Sequence, residues 1–147
     1  MVTQTAEYAL RAAVWLAQQP MLPASSASIA QATQIPRRYL HHVLQALVHA
    51  GLVCSYPGPG GGYQLARAPE AITILDIINA VSPLPRIRQC PLGLTGHGTH
   101  LCPLHRALDQ ATALVERAFR SVRLADLLPK KTGASALCNR DKSLSLR

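Results

Sequence analysis

The stretch QCPLGLTGHGTHLCPLHRAL, positions 89 to 108, concentrates side chains that can hold a metal: Cys90, His97, His100, Cys102 and His105. Thiolate and imidazole are soft to borderline ligands and suit an iron–sulfur cluster or zinc. Cys102 and His105 stand three residues apart at the start of an expected helix, so both side chains fall on one side. The positive end of that helix also favours a thiolate. Gly93, Gly96 and Gly98 let the loop wrap an inorganic group without Cβ clashes. Other chemistries are open on the same residues. Cys90, His97, Cys102 and His105 could form a tetrahedral zinc site. The Cys90-Pro91 and Cys102-Pro103 pairs are of the kind found in haem-regulatory dipeptides. The cysteines could also act as a bare dithiol switch with no cofactor. A catalytic thiol at Cys102 is not expected, since no third group orients His105 and the pattern offers no pocket, so an enzyme is not expected.

The elements that position this loop follow from hydrophobic spacing. Residues 3 to 19 predict a helix, with Ala6, Leu10, Ala13, Val14 and Ala17 at three- and four-residue steps and Pro20 and Pro23 ending it. Ser25 to Ser28 offer N-cap oxygens for a brief second helix to about Ala32. Ile35-Pro36 makes a turn, and Pro36 suits the first turn of a third helix. Leu40, Val43, Leu44 and Leu47 form its apolar stripe, and Gly51 is placed to stop it. Leu52 to Tyr56 and Tyr63 to Leu65 predict a β-hairpin with a long Gly/Pro tip. A fourth helix, about Thr73 to Val81, turns Ile74, Ile77 and Ile78 inward. Helix, turn, helix and then a two-stranded wing is the winged helix–turn–helix order.

Beyond the loop, Leu104, Leu108, Ala111, Val115, Ala118 and Val122 alternate steps of four and three. That heptad spacing is what two helices use to pack along their length, and it predicts a dimerisation helix. The fold class is therefore mostly α with a small β-hairpin. Residues 1–82 are expected to form a winged helix–turn–helix DNA-binding domain, 83–102 a cofactor-binding loop, 103–128 the dimerisation helix with a short terminal helix, and 129–147 a polar, disordered tail.

In such a domain the third helix reads the major groove, where base edges are distinguishable. It offers Arg37, Arg38, His41, His42 and Gln45, with Tyr39 available for phosphate or packing. His41, His42 and His49 belong to this helix and are poor ligand candidates. The wing tip, with Gly60, Gly61 and Gly62, has almost no side chains, so its backbone can approach a sugar–phosphate edge; Arg67 stands nearby. A nucleotide cradle is not expected there, because the Lys-Ser/Thr pair of a P-loop is missing.

Composition agrees with these readings. Lys plus Arg total 15 against seven acids, a net charge of +8, which favours a polyanionic partner such as double-stranded DNA. The chain has one Trp, one Phe and four Tyr, so its core must be built from Ala, Leu, Ile and Val. No apolar run approaches the roughly 20 residues that span a bilayer, so no membrane partner is expected. The first residues lack the features of a signal peptide, so a cytoplasmic location is expected, where disulfides are seldom structural. Cys54, in the first wing strand, reads as a small buried hydrophobe, and Cys138, in the tail, as incidental.

GPGGGYQLAR followed by ITILDIINAV resembles the wing and following helix of bacterial winged-helix regulators typified by IscR and NsrR. EYALRAAVWLA, IAQATQIPRRYLHHVLQALVHAGLV and RLADLL fit the same family, over residues 1 to 128. The resemblance implies a homodimer on a palindromic operator, with an iron–sulfur cluster in the loop before the long helix that senses redox state, nitric oxide or iron–sulfur status. Carried over residue by residue, Cys90 matches the first cysteine of the family loop, Cys102 the third and His105 the following histidine. Gly96 stands where the second cysteine is expected, so one thiolate is missing, and His97 is the nearest replacement, with His100 next. Some members use an acid in the first helix that reaches the cluster of the opposite subunit; Glu7 matches that place and is the only acid before Glu70. The resemblance thus implies a 2Fe–2S-type cluster with mixed Cys, His and Glu ligands, with zinc or haem as alternatives.

Overall fold

The computed structural model describes residues 2–93 and 100–130. Five helices and one hairpin follow in order: α1 (Gln4–Ala17), α2 (Ser26–Thr33), α3 (Arg37–His49), β1 (Val53–Tyr56), β2 (Gly62–Leu65), α4 (Ile74–Val81) and α5 (Pro103–Arg120). Short 3-10 turns occupy Pro69–Ala71 and Leu124–Leu127.

Small side chains let α1 run through the middle of the domain. Ala6, Ala9, Ala12, Ala13, Val14, Leu16 and Ala17 are all buried on it, while Leu10 is only half-buried. With alanine at five of these seven positions, α2, α3 and α4 pack directly on α1. Thr3 caps α1 by accepting from the Ala6 N–H at 3.2 Å, and Ser25 caps α2 by accepting from the Ser28 N–H at 3.1 Å.

The turn between α2 and α3 is held by Gln34, a left-handed residue at φ 57°. Pro36 is the N-cap residue of α3, so the helix proper begins at Arg37, one residue later than the expected first turn at Pro36. Leu40, Val43, Leu44 and Leu47 are its buried stripe, as the spacing predicts. Gly51, at φ 73°, takes the left-handed position just past the Ala50 cap.

The hairpin is antiparallel, with Val53 facing Leu65 and Tyr56 facing Gly62. A third segment joins it: Ala24 exchanges two backbone hydrogen bonds with Tyr63, at 2.9 and 2.8 Å. Cys54 is half-buried on β1 rather than fully buried, because its strand is covered on one side only. On α4 the buried residues are Leu75, Ile77 and Ile78; Ile74, expected inside, is half-buried. The helix is apolar on most faces, so its spacing does not single out the inner one. Its start is fixed by a reciprocal cap in which the Asp76 N–H donates to Thr73 Oγ1 and the Thr73 N–H to Asp76 Oδ2.

The core is not closed by residues 1–82 alone. After α5 the chain returns, and Leu124 is fully buried in the core, its turn packed against α1 and the Pro69–Ala71 turn. Its N–H donates to the Ile72 carbonyl at 2.8 Å, and the Ile74 N–H donates to the Val122 carbonyl at 3.0 Å. Val122 therefore lies past the end of α5, in the returning segment, and is not part of a continuous helical seam.

Candidate DNA-binding face and ligand loop

Burying Leu40, Val43, Leu44 and Leu47 turns the rest of α3 outward. Arg37, Arg38, Tyr39, His41, His42 and Gln45 are all exposed. No side chain caps the N-terminus of α3, and no acid lies in its first turn. Arginines there stand against the helix dipole. Together with the free N–H groups they make a concentrated positive end that suits phosphate.

Two aromatic rings sit at that end. The Arg38 guanidinium lies 4.6 Å from the Tyr39 ring centre and donates to the Tyr39 hydroxyl at 2.9 Å. The Tyr39 ring is 5.9 Å from the Tyr8 ring of α1. Sequence reasoning missed Tyr8; the scarcity of aromatics was the available signal.

The wing glycines differ in what holds them. Gly60, at φ 74°, faces open space. A Cβ on Gly61 would meet the Tyr56 carbonyl oxygen at 2.2 Å, and one on Gly62 would meet the Ala24 carbonyl oxygen at 2.3 Å. The run thus has packing reasons at Gly61 and Gly62, beside any approach to DNA. Arg67 is exposed just after β2.

Cys102 is the N-cap residue of α5, with Pro103 following. Its Sγ lies 3.2 Å from His105 Nδ1, so the two expected ligands do meet on one side. Cys90 is described and half-buried at the other end of the loop. His97, and Gly96 where the family carries a cysteine, lie outside the described residues. Among the described residues, no group of three or more His, Cys, Asp or Glu side chains comes together. Glu7 is exposed on α1 and paired with Arg11 at 2.6 Å; Arg11 also donates to the Thr33 carbonyl, tying α1 to the end of α2.

The two sides of the loop are joined by a clamp that the sequence did not reveal. Arg86 donates to Asp109 through Nε at 2.7 Å and through a terminal nitrogen at 2.9 Å, and to Glu116 at 2.9 Å. The Ile87 N–H donates to the same Asp109 carboxylate at 2.9 Å. These bonds, the Arg86 pair first, hold the Asp109 carboxyl down at about 2. The same acids, Asp109 first and then Glu116, push Arg86 above its ordinary value. The segment leading to Cys90 is thereby fastened to α5, the helix that follows Cys102.

No residue of α5 is fully buried. Leu104 and Leu108 are 63% and 49% exposed, and Leu114, outside the expected seam, is 61% exposed. Ala111 and Ala118 are exposed and Val115 half-buried. The uncovered apolar row therefore runs from Leu104 to Ala118. No helix among the described residues is long and apolar enough to cross a membrane.

Helix, turn, helix, hairpin and a long following helix define a winged helix–turn–helix protein. A family model described as Rrf2, iron-dependent transcriptional regulator, matches residues 2–130, and the chain belongs to that family. Over 129 residues it is 30% identical to an Aquifex aeolicus protein named as a helix–turn–helix-type transcriptional regulator, covering 86% of this chain and 90% of that one. Over 81 residues it is 42% identical to a similarly named Synechocystis protein, covering 54% of this chain and 55% of that one. Among solved structures it is similar to T. potens IscR, with a TM-score of 0.68, 28% identity and coverage of 86% and 84%. It is also similar to CymR, the global cysteine regulator of B. subtilis, with a TM-score of 0.68, 30% identity and coverage of 86% and 95%. The expected fold and family thus hold, and DNA-binding transcriptional regulation is the function the family defines.

Proposed function

We propose that this chain is a cytoplasmic, homodimeric regulator that reads a palindromic operator and senses redox state, nitric oxide or iron–sulfur status through a cluster in its ligand loop. In this reading α3 supplies Arg37, Arg38, Tyr39, His41, His42 and Gln45 to the major groove, and Gly60, Gly61, Gly62 and Arg67 lie along the flanking backbone. Two copies of α5 pair through Leu104, Leu108, Ala111, Val115 and Ala118.

The observation that carries this reading is the position of the Cys102–His105 pair, 3.2 Å apart, at the head of a helix with an uncovered apolar row. A ligand change there acts at the first turn of the helix that joins the two reading heads. The donor chemistry fits: one thiolate and one imidazole on one side, with Cys90 at the other end of the loop. Cys90, Cys102 and His105 would hold a 2Fe–2S-type cluster, completed by His97 or by Glu7 of the second copy. When bound, such a cluster supplies a one-electron couple, at a potential raised where histidine replaces cysteine. Asp109 and Arg86 keep both sides of the loop registered on α5. Engagement of Glu7 would require Arg11 to release it.

Anaerobic purification followed by iron, acid-labile sulfide and zinc analysis and an absorption spectrum tests the cofactor. Iron and sulfide in a brown protein support the cluster. Stoichiometric zinc in a colourless protein, or a sharp Soret band, would replace it with zinc or haem.

A further inference from the structure

The N-terminal end of α3 carries a stacked column that the reading face alone does not require. Gln4 donates to the Tyr8 hydroxyl at 2.9 Å, and the Arg11 guanidinium lies 5.7 Å from the Tyr8 ring centre. Tyr8 thus has a partner at its hydroxyl and a cation over its ring. The Tyr39 ring meets it at 5.9 Å with a tilt of 48°, within the separation at which aromatic rings interact. Arg38 lies over Tyr39 and bonds its hydroxyl. Tyr39 is 39% exposed, so the column stands at the surface.

We propose that Tyr39, seated on Tyr8, is a positioning residue that holds the Arg38 guanidinium ready for two acceptors of the duplex. A guanidinium carries five N–H donors in one rigid plane, and contact with the Tyr39 ring together with the bond to its hydroxyl fixes where that plane stands. One donor is spent on the Tyr39 hydroxyl, and the others can address a guanine O6/N7 edge or a phosphate. A free arginine loses its rotamer freedom when it binds DNA. Contact with the ring removes part of that loss beforehand, which raises affinity without adding a contact. Tyr39 then acts through Arg38. The proposal rests on the reading that α3 faces DNA.

The test is a double-mutant cycle on the whole chain, read by fluorescence anisotropy. The probes are a duplex enriched by the wild type from a random pool and an unrelated duplex of equal length. Tyr39→Leu should weaken binding about fivefold in the wild-type background and hardly at all in the Arg38→Ala background. Tyr39→Phe should retain most of the affinity, since the ring remains, and Tyr8→Leu should lie between them. Loss confined to the enriched duplex assigns Arg38 to a guanine, and equal loss on both duplexes assigns it to a phosphate; either pattern carries the proposal if the coupling is seen. Equal effects of Tyr39→Leu in both backgrounds, or none in the wild type, would overturn it while leaving the DNA reading in place. Failure of the wild type to enrich any duplex would remove the DNA reading itself.

Discussion

Replacing Gly62 by alanine separates a glycine kept for packing from one kept only for its backbone angle. At φ 143° an L side chain is strained, which costs about 1–3 kcal/mol. The added Cβ would also lie 2.3 Å from the Ala24 carbonyl oxygen and 2.5 Å from its carbon. Backbone cannot yield as a flexible side-chain tip does, so the Ala24–Tyr63 bridge must open. Its two hydrogen bonds contribute roughly 1 kcal/mol each. Gly62→Ala should therefore cost about 3–5 kcal/mol in all. Gly58→Ala is the control: φ is 83°, nothing lies within 4 Å, and the cost should be about 1–2 kcal/mol. Urea unfolding at a fixed protein concentration measures both, and amide exchange at Ala24 and Tyr63 reports the bridge. Equal costs for the two variants, with both amides still protected in Gly62→Ala, would refute the packing argument.

Other outcomes follow from the same geometry. The folded Asp109 value of about 2 lies below its ordinary 3.8, so unfolding takes up a proton between them. The clamp's stabilisation is complete above about pH 4 and is lost as pH falls through about 2; Asp109→Asn should flatten stability over that window, and an unchanged acid limb in urea titrations would contradict it. Leu108→Glu should yield monomers in sedimentation while melting of the isolated subunit stays within about 0.5 kcal/mol, since the side chain is exposed; a persistent dimer would move the interface elsewhere. Arg37→Ala should weaken specific binding and lower the slope of log affinity on log salt by about one, while leaving the absorption spectrum unchanged; an unaltered slope would take Arg37 off the phosphates.

Much of the fold was legible because its periodicities are clean. The α3 stripe is unambiguous: four large apolar residues on one face and mostly charged or polar residues elsewhere. Gly51, the serines at the start of α2 and the Gly/Pro hairpin tip are local signals, and each marks a boundary within a residue or two. The inner face of α4 was not legible, since ILDIINAV is apolar nearly all round. Nor was the return of Leu124 to the core: it meets Ile72 across a long span, and spacing carries no information at that range. Heptad steps continue to Val122, but the chain has left the helix by then to bond α4. Leu114 was missed because it neighbours Val115, and alternating steps of three and four can pass through either.

Of the proposed ligand loop, the approach of Cys102 to His105 was legible and its closure was not. Spacing at a helix start brought Cys102 and His105 together, a local consequence of helical geometry. The Arg86–Asp109 clamp spans 23 residues across the loop, so no sequence pattern pointed to it. Arg86 resembled any other member of a basic surface, and only its partners distinguish it.

Operator affinity of the anaerobically purified protein, measured before and after removal of its bound iron, tests the central claim most directly. A marked change in affinity between the two states of one preparation, with a dimer in both, is the predicted result. Equal affinity with and without iron would contradict the account and leave the loop without a part in regulation.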